Sequence, residues 1–418
     1  MKIHLDLDAF FISAERIRNP KLRGIPAAVG GRGDPFIFDR ESHSKLDTIQ
    51  SDGGAFVPNI FYNAQNGFED YFVENGRIRG IIITASYEAR AYGIKTGMTV
   101  REALQLYPKL VVVPPNHLYY HQLSGSLKHF LERHIPKVEQ YSIDEFFGDI
   151  SGWVKPEKAE SFLKGLQTMI EKEFSLPISI GAAHSKWTAK LATSFAKPHG
   201  IKIVTDVEDF IKDIPIEEFP GIGRGYLRRL RAYNVHTLGE TKHLKDLFYS
   251  WKKPGIQLYR RIWGIDNEPV ATSSPKKSMG ISRTIDPISD REEIKRRFII
   301  LARHLAYSMA KVKFSPTHIY LSLVYENGIR SKAHTPISRP FSEQLLKEMA
   351  LYLFEKADIY PYSSIQRLAL RCSQSHRHIC YNLLQYQRDK KNSRLSLANH
   401  YLRTKYGIGT IRYAKELF

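Results

Sequence analysis

The chain has 418 residues and carries 62 Lys and Arg against 43 Asp and Glu, a formal net charge of +19 that favours a polyanionic partner, nucleic acid before an anionic membrane. Its length suggests about two to four domains and its 42% apolar content ordinary cores. Two cysteines, Cys372 and Cys380, exclude a disulfide framework or a zinc quartet, no apolar run reaches the ~18–20 residues of a membrane span, and the charged opening MKIHLDLDAFF lacks a leader's apolar run, so a cytoplasmic protein is expected.

Residues 2–8 alternate, with Ile3, Leu5 and Leu7 on one face and His4, Asp6 and Asp8 on the other, which is the period of a strand. A helix and a short strand at Ala27–Gly30 follow. Residues 32–77 are turn-rich, with Asp52-Gly53-Gly54, Pro58-Asn59 and Asn75-Gly76, and show no sustained period, so they read as a long insertion or loop. Strands are expected at Ile81–Thr84, Val111–Val113 and Ile178–Ala182, and around an acidic tip within Val138–Asp149. Helices are expected at His121–Arg133, Ala159–Phe174 and Trp187–Ala196.

The composition then changes. Between Gly221 and Trp263 ten Lys and Arg face only two acids, Glu240 and Asp246, in a small helical segment. A linker at 272–280 leads to strand, helix, strand, strand, helix, strand (281–285, 291–310, 318–326, 329–335, 342–357 and 365–372), the order of a small α+β sandwich of ferredoxin-like type. The last 44 residues carry nine Lys and Arg against two acids and read as a basic tail with a helix at Ser393–Arg403.

Two acidic clusters carry chemistry: Asp6-Leu7-Asp8, and Asp144-Glu145 within Ser142-Ile143-Asp144-Glu145-Phe146-Phe147. Carboxylates among apolar strand residues are costly to bury unless they are paired or bind a cation. Mg²⁺ suits them, because it takes hard oxygen ligands and shares them with substrate phosphates. Two such ions about 3.5–4 Å apart can activate a 3′-hydroxyl and stabilise a leaving pyrophosphate. The plainer alternative is edge-strand acids facing water.

Five motifs occur in order: Asp6-Leu7-Asp8-Ala9-Phe10-Phe11, Tyr87-Glu88-Ala89-Arg90-Ala91-Tyr92-Gly93-Ile94, Ser142-Ile143-Asp144-Glu145, Ala196-Lys197-Pro198-His199-Gly200-Ile201 and Phe219-Pro220-Gly221-Ile222-Gly223. Together they resemble the Y-family of translesion DNA polymerases, over residues 1–31 and 80–375. The resemblance implies an α+β multidomain right hand (palm, fingers, thumb) with a C-terminal βαββαβ little-finger domain. It would place the palm at 1–9 and 115–205, the fingers at 10–114 with the insertion at about 32–79, and the thumb at 206–271. The linker at 272–280, the little finger at 281–375 and the tail at 376–418 complete it.

The same resemblance implies site roles. Asp6 and Asp144 match metal-binding aspartates, Glu145 the third catalytic carboxylate, and the Leu7 carbonyl a further metal ligand. Asp8 matches a supporting acid. Both Asp144 and Glu145 can serve only if the chain turns there, since neighbours on a flat strand face opposite ways. Phe11 matches a steric gate that rejects ribonucleotides by clash with the 2′-hydroxyl, with Phe10 beside it at the nucleotide and expected in the core. Tyr87, Arg90 and Lys197 match residues gripping the triphosphate. Gly221 and Gly223 of a helix-hairpin-helix, with Arg224 and Arg228, would hold DNA phosphates irrespective of base sequence.

The expected activity is low-fidelity, template-directed DNA synthesis across lesions, with two Mg²⁺ ions (Mn²⁺ as substitute), primer-template DNA and a dNTP as partners, as a monomer. Asn382-Leu383-Leu384-Gln385-Tyr386 sits where relatives carry a sliding-clamp peptide, and matches it poorly. The competing readings are a catalytically silent DNA-binding scaffold of the same shape and a palm-fold cyclase. The intact carboxylates weigh against the first, and the +19 charge and hairpin motif against the second.

Overall fold

The computed structural model describes residues 1–33, 37–39, 67–74, 76–272, 276–374 and 382–417. The turns expected at 52–59, Asn75 and Cys380 lie outside them. The described chain divides into two compact units. The first holds residues 1–31 and 67–272. The second holds 276–374, 382–417 and, from far upstream, Arg32, Gly33 and Ile37–Asp39.

The first unit opens with β1 (Lys2–Leu7), α1 (Phe10–Arg18), β2 (Ala27–Gly31), α2 (Phe68–Phe72), β3 (Val73–Glu74), β4 (Arg77–Ile78), β5 (Ile81–Ala85), α3 (Tyr87–Arg90), α4 (Val100–Leu106), β6 (Val111–Val113) and α5 (His117–His134). It continues with β7 (Lys137–Gln140), β8 (Glu145–Asp149), α6 (Ala159–Phe174), β9 (Ile178–Ala183), α7 (Lys186–Ala196), β10 (Ile201–Ile203), α8 (Val207–Ile211), α9 (Arg224–Arg231), α10 (Lys245–Ser250) and α11 (Lys252–Ile262).

Five strands form the main sheet in the order β10-β9-β1-β8-β7, with β1 antiparallel to both its neighbours. The alternation of β1 sorts its two faces. Ile3, Leu5 and Leu7 pack with Leu127 and Leu131 of α5 and Leu163 and Leu166 of α6. His4 and Asp6 face the other way, where the His4 ring meets the Thr193 hydroxyl of α7 at 2.9 Å. Helix α7 lies this close because Gly181 of β9 has no side chain: a Cβ there would stand 2.1 Å from the Ala189 carbonyl oxygen and 2.5 Å from the Thr193 nitrogen.

A second sheet, β5-β2-β6, is fronted by α2. The Phe72 ring of α2 occupies the space over Gly30, where a Cβ would come within 2.5 Å of it. Reading 32–77 as unpatterned therefore misses α2 and the β3–β4 hairpin, a five-residue helix and two-residue strands too short to display a period. Beyond β10 a helical cluster packs Ile211, Phe219, Ile222, Leu230 and Leu258 against Trp187 and Leu191 of α7.

The second unit runs β11 (Ser278–Ile288), α12 (Arg291–Lys311), β12 (His318–Tyr325), β13 (Arg330–Pro336), α13 (Glu343–Ala357), β14 (Ile365–Ser373) and α14 (Tyr386–Tyr406). Its sheet order, β11-β14-β12-β13, is antiparallel throughout, and each βαβ unit is split by an intervening strand. Two features depart from the sequence expectation. Ile37 and Phe38, read as part of an insertion in the fingers, lie in this unit's core with Phe298, Leu301 and Leu321. Arg296 donates to the Phe38 carbonyl at 2.8 Å, and the Arg297 guanidinium stands 4.6 Å over its ring. The C-terminal helix is also longer than 393–403, and its Arg403 is 1% exposed. Arg403 donates to Glu343 at 2.6 Å, Lys347 pairs with Glu343 at 2.8 Å, and Arg303 pairs with Glu416 at 2.8 Å. Nine basic residues gave no sign of this in the sequence, since a buried arginine is spelled like an exposed one.

Candidate active site

Asp6 sits near the end of the central strand, opposite Glu145 of β8 and Ser179 of β9. Asp144 reaches the same place because the chain does turn. The β7–β8 hairpin closes with the Tyr141 and Ser142 amides both donating to the Glu145 carbonyl, at 2.9 and 3.1 Å. The Ser142 hydroxyl donates to Asp144 Oδ1 at 2.5 Å and accepts from the Glu145 amide at 3.1 Å. Asp144 thus stands before the strand and Glu145 begins it, so the rule of opposite faces does not apply. The Leu7 amide donates to the Asp144 carbonyl at 3.0 Å, tying the two acidic segments together.

Asp6 is buried and Asp144 and Glu145 are partly buried, and cations of the chain itself compensate Asp6 and Glu145. Lys197 Nζ lies 2.7 Å from Asp6 Oδ1, and Lys190 Nζ donates to Glu145 Oε1. Burial, opposed by Lys197 and reinforced by the charges of Asp144 and Glu145, raises the Asp6 carboxyl to about 7. Burial also raises Asp144, against the Ser142 hydrogen bond. Among the described residues no three His, Cys, Asp or Glu form a ready-made metal cluster. A lysine holds Asp6, another holds Glu145, and a serine holds Asp144. The donor set nevertheless fits a divalent cation: all the donors are hard oxygens, and the Asp6 carboxyl is destabilised in its charged form even with its lysine present.

Around this centre, Phe10 is buried in the core, 2% exposed, whereas the half-buried Phe11 ring stacks on Tyr120 at 4.6 Å. Tyr120 is held in turn by a 2.7 Å hydrogen bond to Glu15. Tyr87 opens α3 behind its Ser86 cap and donates to Asp8 at 3.1 Å. Arg90 is exposed, with its guanidinium 4.7 Å over the Tyr87 ring. Lys197 follows α7, and Gly200 is required there, since a Cβ would meet the Ala196 carbonyl oxygen at 2.2 Å. Asp6, Asp144, Glu145 and Lys197 are brought together; Tyr87 is linked to them through Asp8.

The DNA-facing candidates lie further along the chain. Gly221 has φ 110, a conformation that favours glycine, and Gly223 caps α9, from which Arg224 and Arg228 reach solvent. The first helix of the expected hairpin motif is reduced to a single 3-10 turn, Ile216–Glu218. In the second unit the open face of the sheet presents Tyr320, Arg330, Lys332, Arg367 and Arg371. Sequence reasoning missed these individually, as it missed Lys190. Strand alternation could have found the first set. Lys190 was signalled by its spacing four residues after Lys186 and seven before Lys197.

The chain matches the model of the impB/mucB/samB family over residues 5–194 and that of the family's C-terminal domain over 276–378. The DNA polymerase IV of Streptococcus mutans serotype c is 31% identical over 315 residues, 74% of each chain. That of Alkaliphilus oremlandii is 32% identical over 318 residues, 73% of this chain and 69% of the other. The chain belongs to the Y-family of translesion DNA polymerases. It is a DNA-directed DNA polymerase of the lesion-bypassing kind, dependent on divalent metal. A solved Y-family DNA polymerase chimera of Dbh and Dpo4 shares the fold with a TM-score of 0.69 at 22% identity, covering 91% of this chain and 99% of the other. DinB from Sulfolobus solfataricus does so at 0.54 and 22%, with the same coverage. The polymerase therefore has the right-hand architecture with a C-terminal little finger. No helix among its described residues is long and apolar enough to cross a membrane.

Proposed function

We propose that Asp6, Asp144 and Glu145 are the catalytic carboxylates of this polymerase. With the Leu7 carbonyl they would hold two Mg²⁺ ions, or Mn²⁺ in their place, whose chemistry is to lower the pKa of the primer 3′-hydroxyl and to neutralise the departing pyrophosphate. The observation that carries this reading is the meeting of Asp6, Asp144 and Glu145 at the junction of β1 and β8, with the Asp6 carboxyl raised to about 7 by burial.

Tyr87, Arg90 and Lys197 grip the triphosphate of the incoming dNTP, the phenol and guanidinium by hydrogen bonds and the ammonium as a point charge. No side chain caps the amides at the start of α1, which leaves them for phosphate oxygens. Phe11, braced by Tyr120, stands under the sugar and excludes a 2′-hydroxyl. Phe10 serves from the core, behind the gate. Gly221, Gly223, Arg224 and Arg228 hold backbone phosphates of primer-template DNA, and so does the basic sheet face of the second unit. A solved relative described as an insertion ternary complex of Dbh DNA polymerase is in keeping with DNA and nucleotide as partners.

The protein acts in the cytoplasm as a monomer, which light scattering checks. Leu383 and Leu384, 89% and 96% exposed, are its point of attachment to a sliding clamp. Changing both to Asp is expected to abolish clamp affinity while leaving clamp-free extension intact.

The deciding test is primer extension with Mg²⁺ on intact and abasic templates, with Asp144→Ala and Glu145→Ala alongside the unaltered protein. The unaltered protein should extend and cross the abasic site. Each variant should lose roughly 10²–10³-fold or more in rate while still binding primer-template. Extension by both variants at the unaltered rate would remove the assignment.

A further inference from the structure

Asp8, matched above only to a supporting acid, has no part in the metal, nucleotide or DNA roles proposed for the site, yet it is held by donors from three elements. It is 1% exposed. Its carboxylate accepts from the Tyr87 hydroxyl at 3.1 Å, from the Ser179 hydroxyl at 2.8 and 3.0 Å, and from the His199 amide at 2.8 Å. Its own amide donates to the Pro177 carbonyl at 2.9 Å, and its carbonyl accepts from Ser13 at 2.7 Å. Among the described residues no Lys, Arg or His side chain pairs with it. A buried carboxylate without a counter-ion is expensive unless donors surround it, and here every donor comes from a different element. They are α3, β9 and the loop that follows α7.

Two of those elements carry triphosphate ligands. Tyr87 is itself one. His199 stands two residues after Lys197, and its φ of 56 marks a constrained turn. Without Asp8, the Tyr87 hydroxyl and the 197–200 backbone would have no common anchor to β1.

We propose that Asp8 is a positioning residue for the incoming nucleotide: its carboxylate fixes the Tyr87 hydroxyl and the backbone of the Lys197 loop to the end of β1, and so sets the spacing of two side chains that grip the triphosphate. This rests on the nucleotide roles given to Tyr87 and Lys197 above. Asp8 touches no reacting atom. It acts in substrate binding, through those two residues, and its loss should appear in KM and not in kcat. Asn in its place brings an N–H2 group against donors that need acceptors, with almost no change of volume.

The test is steady-state dNTP incorporation on primer-template, together with dNTP binding on a dideoxy-terminated primer, for Asp8→Asn, Ser179→Ala, Tyr87→Phe, Lys197→Ala and the double variant Asp8→Asn/Tyr87→Phe. Asp8→Asn should raise KM and the dissociation constant for dNTP about 10-fold or more while kcat changes less than about 3-fold. The double variant should be no worse than the poorer single one, since the two residues act as a unit. Ser179→Ala removes one donor and leaves the carboxylate in place; it should raise KM about 3-fold or more, which keeps the proposal testable if Asp8→Asn does not fold. KM unchanged in Ser179→Ala and Asp8→Asn, or effects of Asp8→Asn and Tyr87→Phe that multiply independently, would overturn it. If Tyr87→Phe and Lys197→Ala also leave KM unchanged, the triphosphate assignment itself fails. If they raise it while Asp8→Asn does not, only the positioning role fails.

Discussion

Asp6 illustrates what one buried carboxyl does to a whole protein. Its folded-state value of about 7 lies above the ordinary 3.8, so between those values the folded chain keeps a proton that the unfolded chain has released. Without divalent cation, stability should therefore fall as pH rises from about 4 to about 7, by up to about 4 kcal/mol. Thermal unfolding in EDTA at pH 5 and pH 8 checks this: Asp6→Asn should flatten the difference, and Mg²⁺ should raise the melting temperature of the unaltered protein at pH 8. Phe11 offers a second residue-scale test. Its ring is half-buried against Tyr120 while Phe10 is 2% exposed, so Phe11→Ala should relax discrimination against ribonucleotides by about 10²-fold, whereas Phe10→Ala should cost stability, about 3–5 kcal/mol. Comparing incorporation of rNTP and dNTP, with unfolding curves, separates the two. Much of this site was legible in the sequence. Acids on an otherwise apolar strand are costly to bury without a cation or hydrogen-bond donors, and alternation put His4 with Asp6. The bend at Ser142 was not legible, because a hydroxyl that turns the chain looks like any other serine. Nor was the lysine that each of Asp6 and Glu145 carries, since partners from α7 and the residue beyond it are fixed by packing.

At the scale of elements, the placement of α7 depends on a missing side chain. A Cβ on Gly181 would stand 2.1 Å from the backbone of α7, so Gly181→Ala should push the helix off β9, destabilise by about 1–3 kcal/mol, and misplace Lys190 and Lys197 together. Loss of extension with retained DNA binding, alongside a lowered denaturation midpoint, is the expected result. Helix α14 makes the opposite point. Arg403 is 1% exposed and donates to Glu343 at 2.6 Å, so Arg403→Ala should cost about 3–5 kcal/mol of the second unit's stability, since it leaves Glu343 buried with only Lys347. Chemical unfolding checks it; a loss below about 1 kcal/mol would make α14 an appendage. Long, strongly periodic elements such as Ala159–Phe174 and the βαββαβ order were readable because a buried face imposes a repeat. Helix α2 was not, because its five residues complete little more than one turn.

For the whole molecule, the charge of +19 becomes specific once the sheet face of the second unit is seen to gather Arg367 and Arg371 on one strand. Replacing both with Ala should lower the slope of log affinity for DNA against log salt by about 1 for each phosphate left without its arginine, without changing sequence preference. A titration at several salt concentrations measures it. The two units also share their chain unevenly. Ile37 and Phe38 fill the core of a unit whose strands and helices begin at Ser278. During synthesis at about 5–20 residues per second, that pair would emerge tens of seconds before the strands and helices that receive it. The C-terminal unit therefore cannot finish folding from its own late sequence alone. An early apolar pair has to be kept from other partners while the remainder is made, and a fragment comprising only residues 276–418 would fold around a hole.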